Sequence, residues 1–210
     1  MGFLVSNVLA YRLDPSWWKL GKEERKEILD VLRRIIDAAR GGQTGSKAAL
    51  YSSLRYDCSI IIWLLMDNPQ RIAATRASIE RLICGYASIK YGFLSVYENK
   101  NKDSGNRKYF VAYPISKDPE WYLLDRSKRS DIMAEHISMA TSNKNNKGIN
   151  SYTTLSFGID DNEFVVLYEL DSLHEWVKVT QDLREASARK WITNERPILV
   201  GIDDLGPLLA

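Results

Sequence analysis

The 210-residue sequence predicts an α+β fold: a duplicated ferredoxin-like repeat whose two sheets join into a dimeric α+β barrel within one chain. Three observations predict it. Strand-like and helix-like segments alternate in the order β-α-β-β-α-β, and the order then recurs. The strand pairs of the two halves match in detail, since "YSSL" from residue 51 is answered by "YTTL" from residue 152. Likewise "IIIWLL" is answered by "FVVLYE", and each is followed by an aspartate, Asp67 or Asp171, at the head of a helix. An acidic residue there suits both capping and the helix dipole.

The first half spans residues 1–98. "NVLAYRL" (7–13) is strand-like, and 23–40 is helical, with Ile28, Leu32, Ile35, Ile36 and Ala39 on one face. Gly41-Gly42 ends that helix, glycine being free to take the left-handed cap conformation. "ALYSSLR" (49–55) and "SIIIWLL" (59–65) are paired strands, and a helix follows over 69–84 with Pro69 in its first turn. "KYGFLSVYE" (90–98) closes the half as a strand. The polar run 99–107 is a linker. The second half, 108–210, repeats the plan: strand 108–115, helix 126–140, strands 151–159 and 163–170, helix 172–188 and strand 197–202.

Composition bounds the function. A 45% hydrophobic and 27% charged chain is ordinary for a globular protein, and a net charge of +2 lacks the basic excess of a dedicated nucleic-acid binder. The longest apolar runs are too short to span a bilayer, and the first residues lack the pattern of a secretory signal, so the expected location is cytoplasmic. "MGFLVS" fits the loose myristoylation pattern, but runs straight into a strand and is read as chance. Cys58 and Cys84 both lie among apolar residues and read as buried free thiols.

Only two histidines are present. His136 joins Ile132, Met133, Met139 and Ala140 at helical spacing, which puts it on the apolar stripe of helix 126–140. Two readings stand: a core histidine hydrogen-bonded to a neighbour, or a metal or haem ligand offered into an apolar cavity. His174, beside Glu175 in a helix first turn, reads as a solvated surface group, so a multi-histidine zinc site is not expected.

The stretch "YFVAYPISKDPEWYLLDRSKRSDIMAEH" resembles the core signature of the chlorite dismutase family, most closely its coproheme decarboxylase branch. That signature runs Tyr-Pro-hydrophobic-x-Lys, then a Trp-Tyr segment, then a helix ending in Met-x-x-His. Residues 155–189, "LSFGIDDNEFVVLYELDSLHEWVKVTQDLREASAR", are similar to the family's second signature, and "SLRYDCSIIIWLL" resembles its cofactor-free repeat. The resemblance covers nearly the whole chain and independently implies the duplicated barrel.

It also implies roles. His136 would be the proximal ligand to the iron of haem b or coproheme. Tyr113 matches the tyrosine that the decarboxylase branch oxidises to a radical that attacks a propionate, and Lys117 the lysine that pairs with that propionate. Arg184 and Ser187 match propionate-binding residues at the end of the last helix, with Arg189 a substitute for Arg184, since a guanidinium fork meets a carboxylate in two places. Trp121 and Tyr122 would build pocket walls. Chlorite dismutation relies on a distal arginine, and the matching position here is Ser151, which argues against that reaction. The implied reaction is oxidative decarboxylation of coproheme to haem b by hydrogen peroxide, in a ring usually of five subunits. A low-activity haem peroxidase, a haem-binding or haem-carrying protein and a cofactor-free relative are the competing readings.

Overall fold

The structure is a computed structural model that describes residues 3–41, 45–98 and 107–210. The first half runs β1 (Phe3–Leu13), α1 (Pro15–Lys19), α2 (Lys22–Ala39), β2 (Lys47–Ser53), β3 (Ile60–Met66), α3 (Pro69–Leu82) and β4 (Ala87–Glu98). The second runs β5 (Tyr109–Lys117), α4 (Glu120–Leu123), α5 (Arg126–Ser142), β6 (Ile149–Leu155), β7 (Phe164–Leu170), α6 (Leu173–Asp182), β8 (Ile192–Asn194) and β9 (Leu199–Ile202). The polar run 99–106 and the glycine at 42 lie outside the described residues, as does the glycine at position 2.

All strand pairings are antiparallel and belong to one large sheet. The first half reads β4-β1-β3-β2 and the second β9-β5-β7-β6. Short seams join them: β2 meets β9 at Ser52↔Ile202 and Ser53↔Gly201, and β4 meets β6 at Val96↔Leu155. The strands thus run round in a ring, with β8 attached beyond β5.

Alternation along each strand sends every second side chain to the inside of that ring. Leu4, Val8, Ala49, Tyr51, Ile61, Trp63, Phe110, Ala112, Tyr152, Val165 and Leu167 meet there as one buried cluster. Tyr51 stacks on Phe110 at 4.9 Å between centroids, and Tyr152 meets Trp63 edge-on at 5.1 Å. The two "Y-x-x-L" tyrosines that betray the repeat in sequence are therefore both interior residues. Among these apolar groups sits an ion pair: Lys47 Nζ lies 2.5 Å from Glu169 Oε2, with side chains 11% and 0% exposed. Tyr152 donates its hydroxyl to the same Glu169 oxygen at 2.9 Å.

A second cluster covers the outer face of the first half. Leu9, Tyr11, Leu50, Ile60, Ile62, Leu64 and Met66 of the sheet are closed off by Leu29, Leu32 and Ile36 of α2 and Ile72 and Ile79 of α3. Each such side chain stabilises the fold by roughly 1.5–3 kcal/mol on full burial.

Several expectations need correction. Asp67 and Asp171 are not the caps; the next residues are, Asn68 accepting from the backbone N–H of Gln70 and Arg71, and Ser172 from that of Glu175. The helix expected over 172–188 stops at Asp182 and gives way to 3₁₀ turns at 183–185 and 187–191, because Ala186 between them is extended. Strand 151–159 stops at Leu155, and Gly158 takes the positive φ (72°) that the following hairpin requires. Helix α2 ends on Arg40 in right-handed geometry, without a left-handed glycine at Gly41. Cys58 is buried as expected, but Cys84, at the end of α3, is exposed.

Candidate functional site

Among the described residues, the outer face of the second half has no cluster to match that of the first. Val111, Tyr113, Ile115 and Lys117 of β5 share this face with Phe164, Val166 and Tyr168 of β7, because the register sets Tyr113 against Val166 and Val111 against Tyr168. Val111 and Val166 are covered, yet Tyr113, Ile115, Lys117, Phe164 and Tyr168 are only half-buried. The helix opposite them behaves alike. Ile132, Met133, His136, Met139 and Ala140 form the expected stripe on α5, joined at its start by Arg129, and all are half-buried with no residue of α5 fully buried. The sequence-stripe is real; the expectation that its histidine is packed into a closed core is not met. Instead of lying on the sheet as α2 does, α5 makes its main contacts with the 3₁₀ turns at 144–146, 183–185 and 187–191. Glu135 accepts the backbone N–H of Ser187 at 3.2 Å, and Asn143 donates to Asp182 at 2.7 Å, holding the helix at that stand-off.

His136 is thus half-buried on a helix face that no fully buried residue of α5 accompanies. Its Nδ1 is buried without a hydrogen-bond partner among the described residues. Burial, with the charges of Lys117 and Arg189, lowers its pKa against the opposing pull of Glu135, so the ring is held in the neutral form that ligates metals. Among the described residues no group of three or more His, Cys, Asp and Glu side chains is placed to hold a metal ion.

Lys117 ends β5 on the same face. Its Nζ sits 3.4 Å from the centre of the buried Trp121 ring, and 3.9 Å from Met133 Sδ on α5. Burial pulls its pKa down to about 8, Glu163 opposing and Arg129 assisting. Trp121 itself packs on Trp191 at 5.9 Å. Glu163 fixes the strand end from the β6–β7 hairpin, accepting the Lys117 backbone N–H at 2.8 Å and the Tyr122 hydroxyl at 2.6 Å. Pro114 falls between the β5–β9 and β5–β8 pairings, where one side of the ladder is interrupted and a missing N–H costs least.

Tyr113 stacks against Tyr168 at 6.0 Å, and Tyr168 against Trp176 of α6 at 4.3 Å. Burial raises the Tyr113 pKa; a hydrogen bond with Tyr168 works against that, and Glu195, Arg189 and Arg184 are close enough to be felt. Arg184 and Arg189, on the 3₁₀ turns rather than a helix, both bind Glu195: Arg189 through Nη1 and, at 2.8 Å, Nη2, and Arg184 at 3.3 Å. Burial pushes the Glu195 carboxyl up, but the Arg189 hydrogen bonds and charge, joined by Arg184, outweigh it and hold the group ionised below its usual range. Ser187 opens the second turn. Ser151 stands exposed on β6 opposite Tyr168, on the same sheet face as Tyr113. His174 is exposed in the first turn of α6, as read from the sequence.

Tyr113, Lys117, Trp121, His136, Ser151, Arg184, Ser187 and Arg189 thus surround one region between α5, the outer sheet face and the 183–191 turns. Sequence reasoning passed over Glu163, Tyr168, Trp176 and Glu195. Tyr168 was open to detection as an outward position in the strict alternation of β7, whereas nothing local marks Glu195.

The chlorite dismutase family model matches residues 25–203. The chain belongs to the chlorite dismutase family. Within the comparisons, a coproheme decarboxylase of Mycolicibacterium smegmatis is 26% identical over 203 residues, covering 90% of this chain and 79% of that one. The crystal structure of TA0507, described as a chlorite dismutase candidate, superposes with a TM-score of 0.89 at 39% identity, covering 100% of this chain and 98% of that one. A variant chlorite dismutase from Candidatus Nitrospira defluvii reaches a TM-score of 0.83 at 19% identity, over 98% and 94% of the two chains, a likeness of fold alone. This family member is thus a mixed α/β protein with a large antiparallel sheet, and no helix among its described residues is long and apolar enough to cross a membrane.

Proposed function

We propose that this protein binds haem b or coproheme between α5 and the outer face of its second half and catalyses the peroxide-dependent oxidative decarboxylation of coproheme to haem b. The observation that carries the reading is the half-covered stripe of α5, with a neutral His136 whose Nδ1 has no hydrogen-bond partner among the described residues, opposite a sheet face that is only partly covered. The named coproheme decarboxylase relative supports the reaction over chlorite dismutation, as does a serine at position 151 in place of an arginine.

In this reading residues 108–210 form the cofactor half, and 1–98, whose outer face is packed with its own side chains, the structural half. The matched strand orders support descent from one duplicated ferredoxin-like unit closed into a barrel. A cytoplasmic homopentamer is the assembly that the family likeness suggests.

His136 would hold the iron and Lys117 would dock a propionate. Lys117 suits this because its ammonium rests on an aromatic ring and a thioether rather than on a carboxylate, so it offers an unspent charge to an incoming one. The iron, when bound, supplies the oxidising power of peroxide. Tyr113 is held by its stack on Tyr168, and would take a hydrogen atom from the propionate side chain once oxidised. Per propionate the balance is loss of CO₂ and one β-hydrogen, with two electrons passing to hydrogen peroxide and two waters formed.

The test is a titration of the purified protein with coproheme followed by peroxide. A Soret band that His136→Ala removes supports the site, and haem b formation that Tyr113→Phe abolishes, with binding intact, supports the reaction. Binding with no turnover in the unaltered protein would leave a haem carrier instead.

A further inference from the structure

We propose that Glu195 is a built-in substitute for a ligand carboxylate, and that it sets how strongly the site selects tetrapyrroles by the carboxylates they carry. The inference rests on the tetrapyrrole reading above and adds a specificity determinant to it.

Arg184 and Arg189 are the cations nearest Tyr113 on the 183–191 turns, and both are already engaged. The end-on fork of Arg189 is spent on Glu195, one nitrogen to each oxygen, and Arg184 adds a third hydrogen bond to Oε2. Glu195 is a mostly covered anion (19% exposed), while Arg184 is 57% exposed and reachable from solvent. An arriving carboxylate therefore meets two guanidinium groups whose positive charge Glu195 already offsets in part. To reach the Arg189 fork it must displace Glu195, and a ligand without carboxylates gains nothing by doing so. The alternative role, a brace that aims both arginines at the ligand, predicts the opposite sign on removing the charge.

The experiment titrates the full-length protein with coproheme and with its tetramethyl ester, reading the Soret band, for the unaltered protein, Glu195→Gln and Glu195→Asp. Glu195→Gln is expected to tighten coproheme binding roughly threefold to tenfold, the scale of one partly exposed charge pair, and to leave the ester unchanged. Glu195→Asp, which withdraws the charge by one methylene, is expected to tighten it less, and carries the test if the glutamine variant fails to fold. Unchanged or weakened coproheme binding in the folded variant overturns the substitute role, as does equal tightening for the ester. An unaltered protein that takes up neither porphyrin overturns the tetrapyrrole reading itself, and this inference with it.

Discussion

Lys47→Met severs the ion pair inside the strand ring, and its cost follows from the geometry. Glu169 is fully buried and Lys47 nearly so, with 2.5 Å between nitrogen and oxygen. At an effective dielectric constant near 20, two charges at that distance attract by about 6–7 kcal/mol, most of which desolvation offsets. Removing the lysine leaves the desolvation of Glu169 in place and forfeits the attraction. The Tyr152 hydroxyl remains as compensation, and so does the flexible apolar stem that methionine preserves. The expected loss is about 3 kcal/mol, the lower end of the range for a broken buried pair. Because Lys47 lies on β2 and Glu169 on β7, the loss falls on the contact between halves rather than within one. Urea unfolding followed by circular dichroism, at one fixed protein concentration, measures it. The double variant Lys47→Met/Glu169→Met should recover most of the loss, since no charge then remains buried. A cost below about 1 kcal/mol for the single variant, or a double variant no better than the single, would refute the claim that each charge depends on the other.

Two further outcomes can be measured. Lys117 has a pKa lowered to about 8, so it is charged below that pH and neutral above it. A carboxylate partner favours the charged form, so coproheme affinity should be flat between about pH 7 and 8, where His136 is already neutral, and fall roughly tenfold per unit above it, and Lys117→Arg should abolish the fall. Asn68→Ala should cost about 1 kcal/mol in unfolding free energy because Asn68 is the true cap of α3, whereas Asp67→Ala should stay within about 0.5 kcal/mol.

Much of this molecule was legible because its signals are local. The apolar runs "IIIWLL" and "FVVLYE" mark two matched strands, and the positions of Ile132, Met133, His136, Met139 and Ala140 place the histidine on a definite helix face. What periodicity cannot supply is the depth of the surface opposite. The stripe on α2 meets a sheet and is buried; the stripe on α5 has the same spacing and is not. The 172–188 region reads as one helix because Leu183, Arg184 and Glu185 all favour helix, yet the chain turns extended at Ala186. The engagement of two arginines by Glu195 and the stack of Tyr113 on Tyr168 arise from tertiary approach, which no spacing within one sequence encodes.

The two halves also differ in what finishes them. The outer face of the first half is closed by its own side chains, whereas in the proposed reading a bound tetrapyrrole would complete the second. A ligand that binds only the native state, at a hundred times its dissociation constant, would add about 2.7 kcal/mol, comparable with the interior charge pair, and so lower the globally unfolded, protease-sensitive population about a hundredfold.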